Sequence, residues 1–151
     1  MKSFYLTLLL VTALILNNCA QDKGDKAAVR ETVKNLIAAC SVDWLDDKVT
    51  ELGMFYKAAQ YIVYRGEDES RKWKDFANYE DEKEKQYVDD VCYRINTIIG
   101  GGDIEFGKFS TEDESEGTWY VQEVKYGQDF QKTAIFAFLK IGDRFALGDI
   151  D

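Results

Sequence analysis

The hydrophobic pattern of the chain changes period once, near residue 102. Before that point apolar residues recur every three or four positions, which gathers them on one face of a helix; after it they alternate, which gathers them on one face of a strand. Val29, Val33, Leu36, Ile37 and Cys40 predict a first helix over about Lys26–Ser41, with Asp25 as its N-cap. Val49, Leu52, Tyr56, Ala59 and Val63, with Phe55 and Ile62 beside them, predict a second over about Asp47–Tyr64. The charged stretch Gly66–Asn78 reads as holding one short helix around Trp73 and Phe76. Val88, Val91, Cys92, Ile95 and Ile99 predict a third helix over about Tyr79–Ile99. Gly100-Gly101-Gly102 ends it, because glycine takes the left-handed conformation of a helix C-terminus without a steric penalty.

Ile104 and Phe106 then open a first strand, and Ser110–Gly117 (STEDESEG) reads as a polar loop. In a second strand, Thr118–Tyr126, Trp119, Val121 and Glu123 share one face and Tyr120, Gln122, Val124 and Tyr126 the other. Gly127-Gln128-Asp129 is a turn signal, Gln131–Ile141 a third strand, Gly142-Asp143 a second turn and Arg144–Ile150 a fourth strand. Helices first and strands second predict an α+β domain, with N-terminal helices layered on a four-stranded antiparallel sheet.

The third strand breaks the expected rule. A sheet with helices on one side alternates apolar and polar residues, whereas Ile135, Ala137, Leu139 and Ile141 oppose Ala134, Phe136 and Phe138 here. If the odd positions face the helices, Phe136 and Phe138 lie outside with Tyr120 and Tyr126; if the even positions do, Ile135, Leu139 and Ile141 lie outside. Either arrangement leaves an apolar face in need of cover, from the chain's own loops or from a partner. Tyr120, Tyr126, Phe136 and Phe138 are the candidate binding residues, for a small apolar ligand, an envelope protein or a second copy in a homodimer.

At the N-terminus the run FYLTLLLVTALIL, Phe4 to Leu16, follows a short basic start. Its thirteen residues span about 20 Å as a helix, short of a hydrocarbon core of about 30 Å. That length suits the apolar region of a secretory signal. The run closes in Leu16-Asn17-Asn18-Cys19-Ala20. This resembles the lipobox of bacterial lipoproteins, with Asn18 where a small residue is usual. The resemblance implies a signal peptide over 1–18, lipidation of Cys19 as first mature residue, a polar tether over 19–25 and a single domain over 26–151. It also implies the outer membrane, since Ala20 and not aspartate follows the cysteine. An ordinary secretory signal or an uncleaved anchor are the alternatives.

Composition narrows the chemistry. The 151 residues contain no histidine and no proline, which removes His-based triads and His metal sites. Nineteen basic against 28 acidic residues give −9. The charge becomes −10 when Lys2 leaves with residues 1–18. Such a chain is a poor nucleic-acid binder. Asp113-Glu114-Ser115-Glu116-Gly117 offers oxygen ligands but lacks the further acidic positions of a calcium loop, so no metal and no cofactor is expected. Cys40 and Cys92 sit in two helical stripes. They read either as two small buried hydrophobes, the commoner case, or as a bridge between helices in an oxidising compartment.

The order of elements, and the closing hairpin from Ala134 to Asp151 with its Arg144-Phe145-Ala146-Leu147 strand, resemble the nuclear transport factor 2-like (ketosteroid isomerase-like) cone fold over about Ala27–Asp151. A cystatin-like domain is the competing fold. The resemblance implies helices wrapped by a curved sheet. For enzymes of that type it implies a carboxylate base with a tyrosine donor inside the cone. Tyr61, Tyr64, Tyr120 and Tyr126 supply phenols, but Glu123 is the nearest carboxylate, and a solvated strand glutamate is far commoner than a base. No catalytic residue is therefore assigned. The expectation is an envelope-anchored, non-enzymatic module that binds a ligand or protein. An immunity or inhibitor protein against a basic toxin or enzyme, and a small isomerase-like enzyme, are the alternatives.

Overall fold

The five-residue stripe of the third predicted helix becomes an α-helix over Glu82–Ile99, whose Val88, Val91, Cys92, Ile95 and Ile99 are buried. Asp81 caps its start by accepting hydrogen bonds from the Lys83 and Glu84 amides, and Gly100 ends it at φ 62°. A computed structural model of the chain describes residues 23–41, 55–64, 75–115 and 117–151. Helix α1 covers residues 23–40 and α2 is Glu82–Ile99. The strands are β1 (Glu105–Glu114), β2 (Gly117–Tyr126), β3 (Lys132–Ile141) and β4 (Arg144–Ile150), paired antiparallel in the order β1-β2-β3-β4. The described residues are thus α+β, with two α-helices on a four-stranded antiparallel sheet. Among the described residues no helix is long and apolar enough to cross a membrane.

Three elements depart from the periodicity reading. Helix α1 is already formed at residue 23, so residues 23–25 are not tether, and Asp25 lies inside the helix instead of capping it. The Asp25 carboxylate pairs with the Lys140 ammonium at 2.7 Å. That bond also raises the Lys140 pKa above its ordinary value. Residues 55–64, expected in the second helix, instead form a turn, a 3-10 turn at Ala59–Tyr61 and an extended pair. The reason is tertiary. The free edge of β4 offers backbone partners, so the Val63 amide donates to Leu147 O at 2.8 Å and the Ala77 amide to Ile62 O at 2.8 Å. Ile62 and Val63, β-branched and fully buried, suit that extended geometry. Phe76 likewise bridges to Val63 in an extended segment and not a short helix. Trp73, Val49 and Leu52 lie outside the described residues.

The expected polar loop at 110–117 is mostly strand. Ser110 pairs with Val121, Glu112 with Trp119 and Glu114 with Gly117, so the hairpin ladder runs on past the last apolar residue. An edge strand needs only one buried face, and exposed charges there discourage pairing with other chains.

The register settles the two-sided third strand. Phe136 and Phe138 stand opposite Gln122 and Tyr120, on the face that packs beneath both helices. The odd face carries Leu139 beside Trp119 and Ala146, and these three are buried without belonging to the main core. The Trp119 indole lies so close over β4 that a Cβ on Gly148 would come within 2.7 Å of its ring. An aromatic side chain thereby covers part of the outer face, on which Leu139 is buried and Ile135, Ala137 and Ile141 stay half-buried. Irregularities between Phe106 and Phe109 and between Ala137 and Phe138 interrupt the ladders; such bulges bend a sheet.

Cys40 and Cys92, both fully buried, form a disulfide that joins α1 to α2 with 4.8 Å between Cα atoms. Of the two readings of these thiols, the less common one holds. The Asn96 amide adds a second tie, donating to Cys40 O at 2.7 Å.

Candidate functional site

The four residues proposed from the strand pattern do not form an open face. Phe136 and Phe138 are 0% exposed, with ring centroids 6.5 Å apart, and belong to the core. Tyr120 is half-buried against the Phe145 ring at 4.8 Å, and Tyr126 is half-buried against the same core. This corrects the expectation: a ligand approaching the sheet here meets α1 and α2 first. Glu123 points to the opposite face from Gln122, and its Oε2 accepts from the Lys108 amide at 3.0 Å. Gln122, fully buried, takes the polar position inside. It accepts from Arg30 Nε at 3.0 Å and donates to Lys108 O at 3.1 Å and Glu123 O at 2.8 Å. These bonds satisfy the backbone at the β1 bulge, a structural task. Among the described residues, which leave out Glu116, no group of acidic side chains is placed to hold a metal ion. Cys19 lies outside the described residues.

The structure does assemble a cleft elsewhere, of about 340 Å³, where residues 56–60, the turn at 76–80 and the start of β4 meet. Such a volume is at the lower end of the range for small-molecule sites, about 300–1,000 Å³. Each wall follows from local structure. The 3-10 turn at Ala59–Tyr61 ends in an extended residue that docks on β4, which turns Tyr56 and Lys57 outward. The other wall is braced by the Asn78 amide donating to Glu84 Oε2 at 2.7 Å and by Asn78 Oδ1 accepting from the Glu80 amide at 3.1 Å. Arg144 opens β4, and its guanidinium lies 4.2 Å from the Phe76 ring centroid while Nη2 donates to Gln60 O at 2.7 Å. Tyr56 and Tyr79 meet edge to face, 6.1 Å apart at 90°.

Tyr79 is the hinge pin of this region. Its hydroxyl donates to Asp89 Oδ1 at 2.7 Å and accepts from the Phe55 amide at 3.3 Å, which ties residue 55 to α2. Burial, then the bond to Asp89, pushes its pKa from 10.0 up to about 12. The neutral phenol is therefore favoured by folding. Its contribution is complete below pH 10 and is lost as pH rises towards about 12, on the order of 1 kcal/mol. Urea titrations of wild type and Tyr79→Phe should differ by a constant amount below pH 10 and converge above it; a gap independent of pH up to 12 would contradict this bonding.

Sequence reasoning missed Lys57, Phe76 and Arg144 as a group and placed Tyr56 in a helical stripe. No local signal joins them, since the Phe76–Arg144 stack spans most of the domain. No protein-family model, no curated protein and no solved structure matches this chain, so its reading rests on its own geometry.

Proposed function

We propose that the chain is a non-enzymatic binding lipoprotein of the bacterial envelope, held by acyl chains on Cys19 and offering the Tyr56–Arg144 cleft to a small ligand. The observation that carries the binding role is the cleft itself, with aromatic walls and polar groups converging on one concave site. A catalytic role finds less support, because Glu123, the carboxylate nearest to a base, is spent on a backbone amide on the face away from the core. Helices on one side of an antiparallel sheet with two bulges are consistent with the cone-like fold.

The anchor reading has a geometric consequence. Three residues separate Cys19 from residue 23 of α1, four steps of at most about 14 Å of chain in all. The Asp25–Lys140 pair ties that end of α1 to the β3–β4 hairpin, from which Arg144 also springs. The anchored protein therefore holds this end towards the outer membrane, with its net negative body in water.

Two measurements test the proposal. Cells fed a labelled fatty acid should label the wild-type chain and not Cys19→Ala; equal labelling refutes the anchor. Fragments that raise the Tm of the wild type should lose that effect in Gln60→Trp, which fills the cleft from an exposed position. An unchanged fragment response refutes the site.

A further inference from the structure

The cleft differs from the rest of this acidic chain in its charges. Among its lining residues stand two cations, Lys57 and Arg144, and one carboxylate, Glu80. Acidic groups outnumber basic ones 28 to 19 overall, so cations here have ample choice of partners. Neither is paired: among the described residues the Lys57 ammonium has no hydrogen bond or ion pair, and the Arg144 guanidinium bonds only to a neutral carbonyl. The guanidinium is nonetheless fixed. Stacking on Phe76 and the bond to Gln60 O hold its plane, leaving its remaining N–H donors for a carboxylate, which a guanidinium binds through two parallel bonds.

The aromatic walls select the body of the ligand. Because Tyr56 and Tyr79 are perpendicular, a flat ring lying on the face of one presents its edge to the face of the other, the two arrangements that aromatic pairs prefer. Tyr56 is 65% exposed, so its ring is open to a ligand in the cleft.

From this arrangement we infer that the cleft binds a small planar aromatic carboxylate, with the acid on Arg144 and Lys57 and the ring in the corner of Tyr56 and Tyr79. The inference rests on the binding role proposed above and narrows it to one ligand class. Charge supplies orientation and the rings supply apolar contact, so neither an uncharged ring nor an aliphatic acid satisfies both halves.

Equilibrium dialysis of the full-length chain in zwitterionic lipid nanodiscs, corrected with empty discs, tests it with three probes: 2-naphthoate, 2-naphthalenemethanol and hexanoate. The naphthoate should bind at least ten-fold more tightly than either of the others. Arg144→Gln should cost the acid ten-fold or more and leave the alcohol unchanged. Lys57→Gln, at an exposed position that makes no contact to lose, should cost about three-fold. Lys83→Gln, on the exposed side of α2, should change nothing. Equal affinity for acid and alcohol, equal affinity for naphthoate and hexanoate, no retention of naphthoate, or indifference to both Arg144→Gln and Lys57→Gln each overturns the inference. If fragments still depend on Gln60 while naphthoate shows no preference, the ligand class falls and the binding role stands.

Discussion

Replacing Cys40 and Cys92 together by alanine should lower stability by about 4 kcal/mol. The bridge closes a loop of 52 residues, and the chain-entropy model of a cross-link gives about this value for that length. Two helices would lose their covalent tie while keeping the Asn96–Cys40 hydrogen bond and the packing around them. For a domain of this size the loss corresponds to a fall in Tm of roughly 10–20 °C. Calorimetry of the double variant, with the wild type in dithiothreitol as a parallel arm, measures it. A wild type whose Tm does not respond to reductant, with two titratable thiols after unfolding, would show that the cysteines are not bridged. Exported proteins meet an oxidising compartment, so the same measurement bears on where the domain folds.

Phe136→Ala carries the second large effect, about 3–5 kcal/mol, because it removes a fully buried ring and leaves a cavity between the sheet and the helices. The Phe138 ring beside it loses its stacked neighbour as well. A surface ring at the same point of the strand would cost well under 1 kcal/mol and would alter binding instead. Urea unfolding therefore separates the two readings of β3: a large shift in midpoint with an unchanged slope places Phe136 in the core, and a small shift with lost ligand binding restores it to an open face. Ile135→Ala, one residue away on the opposite face and half-buried, should cost less.

These two results depend on different kinds of information. The stripe containing Cys92 was legible because Val88, Val91, Cys92, Ile95 and Ile99 recur at helical spacing up to Gly100, while Glu84, equally buried in the first turn, gave no such signal. The bounds of β2, β3 and β4 were equally plain and agree with the observed strands to within a residue, although β3, apolar on both faces, did not show which face was inward. Residues 55–64 were not legible. Their apolar spacing fits a helix, but the unpaired edge of β4 competed for the backbone, and a strand partner lies too far along the chain for any window to register. The hairpin of β1 was hidden for the opposite reason: its outer half has no apolar residues, and the ladder extends there because β2 holds it.

The cleft belongs wholly to the second kind. Its cations and rings come from residues 56–60, 76–80 and 144, each unremarkable in its own segment. What the amino-acid order determined by itself was the class of the domain, the faces of its regular elements and the pair of cysteines that had to be either buried or joined. The tertiary structure decided which face of β3 met the helices, that the two sulfurs met, and that Arg144 found Phe76. Local periodicity encodes what each element buries, since that depends on neighbours within a few residues. Which surfaces come together depends on the packing of the whole chain, and a binding site is made of those meetings.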